Sequence, residues 1–137
     1  IRFVGDFKEI PSDLLKRVSS EKDLSDYVVT PEIVDSHTHL IFGGNRAKEY
    51  SMRLNGADYQ EIAKSGGGIL ESTRGTNSLS DDELLKLCSE RIERLNSYGV
   101  GTIEIKSGYG LSFEKEYRLS QIIHKLKAKF APEVQIK

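Results

Sequence analysis

From residue 32 onward, short β-branched runs alternate with long amphipathic stretches, and this alternation restricts the fold more than any other feature of the chain. "EIVDSHTHL" (32–40) follows Pro31 and reads as a short, buried strand. "LSDDELLKLCSERIERLNSYGVG" (79–101) predicts a helix. Ser80 and Glu83 stand at the two positions of a capping box, Leu79 and Leu84 at those of a hydrophobic staple, and Gly99 at the stop. Leu84, Leu87, Cys88, Ile92 and Leu95 recur at helical spacing, so one face must pack on something apolar. "VGTIEIKS" (100–107) predicts the next strand. A second amphipathic helix is expected over 112–130, with Leu119, Ile122, Ile123, Leu126 and Phe130 on one face; Pro132 breaks it and "EVQIK" (133–137) reads as a further strand. Strand, helix, strand, helix, strand is the signature of βα units on a parallel sheet with right-handed crossovers.

The rest of the chain is less patterned. Residues 1–30 are expected to form a separate preceding segment, with a short helical turn in "IPSDLLKRVSS" and a brief strand at "DYVVT". Residues 31–137 carry the βα pattern. Between the first strand and the first long helix lies a connection over about 41–77, rich in glycine and charge, with one short helix expected at 58–64 before "GGG". Connections of this length are usually functional. The "SGGGIL" cluster lacks the strand-to-helix setting of a dinucleotide fingerprint and the Lys-Ser/Thr of a P-loop, so it reads as a flexible or close-approach backbone.

Composition excludes several classes of function. Twenty basic and 21 acidic residues give a formal net charge of -1, so no field gathers nucleic acid. No apolar run approaches the roughly 20 residues of a membrane span. The single cysteine, Cys88, cannot form an internal disulfide and fits a reducing, cytoplasmic setting; on the apolar helix face it reads as a small core residue.

The chemistry concentrates at strand ends. Two of the three histidines, His37 and His39, lie two residues apart on the first strand, so their imidazoles project to one face. A pair presented this way suits a first-row metal ion, and the competing reading is two histidines in a polar loop. Asp35 shares the alternation and is expected to orient an imidazole. Arg46, in the loop that follows, is placed to hold a carboxylate. Tyr109, between two glycines after the second strand, would present its hydroxyl at the same mouth, or else pack on its turn. Lys106 at that strand's end leaves open a carbamate bridging two metals. His124 lies mid-helix and reads as a partly exposed helix residue.

"IVDSHTHLIFGGNRAKEY", with its His-x-His on a first strand, resembles the amidohydrolase superfamily of metal-dependent (β/α)8 barrels. "FGGNRAKEY", "GADYQEIAKSGGGIL" and "TIEIKSGYGL" narrow the resemblance, over about residues 31–126, to its imidazolonepropionase family. The resemblance implies an α/β fold: the first βα units of a (β/α)8 TIM barrel, preceded in residues 1–30 by part of a small β-sandwich domain. It implies His37 and His39 as ligands of one zinc or iron ion, with Arg46 and Tyr109 binding substrate and no other catalytic group in this stretch. The implied reaction is hydrolysis of the cyclic amide of 4-imidazolone-5-propanoate to N-formimidoyl-L-glutamate by metal-activated water, in a cytoplasmic homodimer without nucleic-acid or membrane partners. Glu32 departs from the family's usual glycine. The family chain is about three times longer, so the remaining metal ligands are expected past Lys137 and this stretch alone is expected to be inactive. Another cyclic amidase or deaminase of the superfamily, and a non-catalytic βα segment, are the alternatives.

Overall fold

A computed structural model describes residues 1–137. The chain divides into two compact units, Ile1–Pro31 and Glu32–Lys137. In the first, a 3-10 turn at Phe7–Glu9 is capped by Asp6, whose carboxylate accepts the Lys8 N–H at 2.9 Å, and a four-residue helix α1 follows at Ser12–Leu15. The strand expected at "DYVVT" does not form. Tyr27, Val28 and Val29 are exposed and have no neighbouring strand to pair with, and β-branched residues make a strand only where a ladder and a packed face are supplied.

In the second unit three parallel strands, β1 (Ile33–Thr38), β2 (Val100–Ile105) and β3 (Gln135–Ile136), form one sheet in the order β1-β2-β3. The alternating pattern from residue 32 onward is therefore realised as parallel strands joined through helices. The last strand is only two residues long, shorter than "EVQIK" suggested, because Glu133 and Val134 are taken up by the turn that closes α6, where the Val134 N–H donates to Phe130 O at 3.0 Å. The connection after β1 is more ordered than its composition suggested. It holds three helices, α2 (Ala47–Leu54), α3 (Tyr59–Lys64) and α4 (Ile69–Asn77), of which only the one at 58–64 was expected. Glycines at 66–68 divide α3 from α4 instead of opening a long loop; Gly66 and Gly68 take positive φ, the backbone needed to leave one helix and enter the next.

The two long helices match their signals. Helix α5 (Asp81–Ser97) has the Ser80–Glu83 capping box, and Leu84, Cys88 and Ile92 are fully buried along one stripe. Helix α6 (Phe113–Phe130) starts at the cap Ser112 and buries Leu119, Ile122 and Leu126. These stripes meet Val100, Ile103, Ile105 and Ile136 of the sheet, Val134 just before β3, and Leu40 and Ile41 beyond β1, forming one core. Each such side chain contributes about 1.5–3 kcal/mol on leaving water, so helix–sheet packing dominates the stability of this unit. Arg118 fastens α6 to the start of α5, donating to Leu79 O and Asp81 Oδ1, both at 2.6 Å. Apolar burial falls on one side of β2, through Ile103 and Ile105; Thr102 and Glu104 occupy the other, and the candidate site lies at the C-terminal end. No helix is long and apolar enough to cross a membrane.

Candidate active site

The register of β1 against β2 is irregular just where the histidines lie. Asp35 pairs with Ile103 and Thr38 with Ile105, so three steps along β1 match two along β2. A bulge of this kind re-aims side chains and is frequent beside functional sites. Thr38 restores the ladder: its Oγ1 donates to Glu104 O at 2.7 Å and its carbonyl accepts the Lys106 N–H at 2.9 Å. His37 and His39 come out together, ring centroids 5.3 Å apart at 72°.

Each imidazole meets a group from β2 or its loop. His39 Nδ1 lies 3.0 Å from Ser107 O. A carbonyl oxygen only accepts, so Nδ1 carries a hydrogen, and in the neutral imidazole this leaves the Nε2 lone pair free, the arrangement used to orient metal-binding histidines. His37 Nδ1 is 3.8 Å from Glu104 Oε2, and Lys106 Nζ is 3.5 Å from the other oxygen of the same carboxylate. Glu104 Oε2 is buried and lacks a hydrogen-bond partner. Asp35 does not act as expected. Its carboxylate faces the His37 main-chain N–H at 3.4 Å, not a ring nitrogen, because it sits behind the bulge.

Tyr109 stands against His39, with centroids 5.9 Å apart at 66°, and its other edge meets Phe42 at 6.0 Å and 64°. Four rings, His37, His39, Tyr109 and Phe42, thus run in sequence through edge contacts of the favoured kind. Gly108 permits the approach. A Cβ there would lie 2.9 Å from His39 Nδ1, and its φ of 153° is one that side chains avoid.

The loop after β1 is tied from below. Arg91 of α5 donates to Leu40 O at 2.8 Å and Phe42 O at 2.6 Å and lies 3.7 Å over the Phe42 ring. The Gly43 N–H donates to the buried Thr76 Oγ1 at 3.0 Å, where the backbones of Gly43 and Gly75 pass too closely for a Cβ on either. Arg46 then opens α2, and Glu49 grips it: one carboxylate oxygen accepts from Arg46 Nε at 2.8 Å and from Nη2. The second Glu49 oxygen accepts the Gly68 N–H at 2.8 Å. The bond from Arg46 holds the buried Glu49 carboxyl below the usual carboxylate range against the opposing effect of burial, with Gly68 adding to it. Glu49 in turn raises the pKa of the Arg46 guanidinium, chiefly through that hydrogen bond. Arg46 is half exposed.

Sequence reasoning missed Glu49, Glu104 and Ser107. Glu104 was legible, since "TIEIK" alternates and sets Glu104 opposite Ile103 and Ile105. Glu49 stands three residues after Arg46 on a helix, the spacing of an intrahelical ion pair, but that helix itself went unrecognised. Ser107 acts through its carbonyl and carries no side-chain signal. Cys88 is a core residue as expected: burial pushes its thiol up, and Sγ faces Leu40 O at 3.7 Å. No three His, Cys, Asp or Glu side chains converge on a point able to hold a metal ion; the imidazoles are a pair.

The class these features define is an α/β chain of parallel βα units with paired imidazoles, an arginine and a tyrosine gathered after its strands. Across almost its entire length its sequence is similar to imidazolonepropionases. It is 48% identical to that of Agrobacterium fabrum over 126 residues, covering 92% of this chain and 30% of the relative. It is 42% identical to an Acinetobacter baumannii enzyme of that name over 135 residues (98% and 33%), and 49% identical to the Aliivibrio fischeri one over 104 residues (76% and 26%). The chain thus spans about a third of the length of the curated relatives it matches. No family model matches it.

Proposed function

We propose that this chain supplies the first βα units of a (β/α)8 barrel that hydrolyses the cyclic amide C–N bond of 4-imidazolone-5-propanoate to N-formimidoyl-L-glutamate, a step of histidine degradation. The observation that carries the reading is the His39 imidazole, held in one tautomer by Ser107 O beside a second imidazole. Both donors suit zinc or iron. A bound ion would supply Lewis-acid polarisation of the ring carbonyl and activation of water. His37 and His39 would hold that ion through ring nitrogens, with Ser107 O and Glu104 orienting them. Arg46 would take the substrate's propanoate, since Glu49 leaves part of the guanidinium fork unused, and Tyr109 would lie against the imidazolone ring.

This reading draws further ligands from a longer polypeptide, in keeping with relatives about three times the length of this chain. Residues 1–30 would then contribute to a small β-sandwich domain, and the whole enzyme would be a cytoplasmic homodimer. The 137 residues alone are proposed to be inactive.

The test is turnover of 4-imidazolone-5-propanoate by the full-length polypeptide carrying this sequence, loaded with zinc or iron, beside dihydroorotate and amino-heterocycle substrates. Selective hydrolysis of the imidazolone supports the proposal. Preference for dihydroorotate, or deamination, would transfer the chain to another member of the superfamily, and no turnover by a metal-loaded protein would reject the enzymatic reading.

A further inference from the structure

The loop of residues 107–111 touches His39 three times over. Ser107 O receives the Nδ1–H at 3.0 Å, Gly108 lies so close that a Cβ on it would come within 2.9 Å of Nδ1, and Tyr109 packs its edge on the ring. What holds this loop is a carboxylate from elsewhere in the chain. Glu116, in the first turns of α6, accepts the Gly110 N–H at 2.8 Å and the Leu111 N–H at 2.9 Å with the same oxygen. Leu111 has a φ of 57°, a left-handed backbone that a leucine adopts only when its surroundings compel it. A Cβ on Gly110 would lie 2.7 Å from Glu116 N, so loop and helix are in direct contact. The second Glu116 oxygen is buried without a hydrogen-bond partner.

We propose that Glu116 is a positioning residue for the candidate site, its carboxylate clamping the 107–111 loop so that the loop's carbonyl and phenol hold His39 in a single tautomer and orientation. The proposal rests on the reading of His39 as a metal ligand and deepens it. Burial alone would raise the Glu116 pKa. The hydrogen bonds from the Leu111 and Gly110 N–H groups, with the Ser107 hydroxyl and the Gly108 N–H adding their dipoles from nearby, outweigh it and hold the pKa below the ordinary value, so the clamp is an anion accepting from main-chain donors. A carboxylate bound this way resists any loop movement that would strip those donors from it. Its influence reaches His39 through the backbone, since Glu116 itself does not contact the imidazoles.

The test uses the full-length polypeptide carrying this sequence. The readouts are the His39 tautomer, from imidazole nitrogen NMR of the metal-free protein, and the dissociation constant for Co2+ alone. Glu116→Ala is expected to abolish the single Nδ1–H tautomer and to weaken Co2+ by about 10–100-fold, the usual effect of removing a group that orients a ligand, with the far-UV circular dichroism unchanged. Glu116→Asp, one methylene short of both N–H groups, should behave like the alanine variant, and Glu116→Gln should retain most of the wild-type behaviour because its amide oxygen still accepts. Wild-type tautomer and affinity in the Asp and Ala variants would overturn the proposal, as would a Gln variant as damaged as Ala. Should the Ala variant unfold, the contrast between Asp and Gln decides alone. The tautomer readout needs neither metal nor turnover, so failure of the enzymatic reading and failure of this inference remain separate results.

Discussion

Glu49 holds Arg46 with one carboxylate oxygen, 2.8 Å from Nε, and the Gly68 N–H with the other, also at 2.8 Å. A single buried side chain thereby sets the direction of the guanidinium and the path of the glycine turn between α3 and α4. Glu49→Ala should release both, leaving Arg46 mobile. If the full-length polypeptide has the proposed activity, the expected result is a KM for a carboxylate-bearing substrate raised by about tenfold or more, the scale of a lost charge-assisted contact, with kcat less affected. An unchanged KM would show that Arg46 needs no such support.

The same pair has a defined pH response. Arg46 depresses the Glu49 pKa, so the stabilising contribution is fully present above the unfolded value, about 4.3, and is lost as pH falls through the lower, folded value. The clamp is therefore intact through the neutral range and opens only in acid. Carbon NMR of the Glu49 carboxyl should show a midpoint below about 4.3, and a midpoint above it would contradict the pairing.

Gly108→Ala tests the close approach to His39. The new methyl would press on Nδ1 from 2.9 Å, in a backbone with φ of 153°. The variant should lose more than about 1 kcal/mol in urea unfolding and bind Co2+ at least about tenfold more weakly than wild type. Affinity equal to wild type would mean that the imidazole tolerates displacement.

Arg91→Lys separates anchoring from charge. Lysine keeps the positive charge but loses the planar guanidinium, which lies over the Phe42 ring while its Nη1 donates to both Leu40 O and Phe42 O. Amide exchange of residues just after β1 should accelerate, and stability should fall by about 1.5–3 kcal/mol, the range for hydrogen bonds to a charged group. Exchange rates matching wild type would assign the loop's order to other contacts, such as Gly43 to Thr76.

Ile103→Ala probes the core under the site. Ile103 is completely buried in the central strand, so truncation should cost about 2–5 kcal/mol by urea denaturation. A cost below about 1 kcal/mol would show that the sheet collapses around the cavity.

Legibility followed range. The capping residues Ser80 and Glu83, the buried stripe of Leu84, Cys88 and Ile92, and the βα order all depend on neighbours a few positions apart, and all were readable. Helices α2 and α4 were not. Both are short and polar, with glycine close by, so propensity alone cannot support them; they persist through contacts such as Glu49 with Gly68 and Gly43 with Thr76. "DYVVT" failed the opposite way, since good strand formers found no strand to join.

For the site, the sequence by itself determined which chemical groups are available: imidazoles at 37 and 39, a guanidinium at 46 and a phenol at 109, each set near a strand's C-terminal end by period-2 alternation and chain order. Only the tertiary structure decided how they are held. The β1 bulge, the Ser107 carbonyl on His39, and the Glu49 and Glu116 clamps join residues through main-chain atoms and buried carboxylates. A carbonyl has no residue-type signature, and a carboxylate becomes a clamp only when folding removes water and brings it donors.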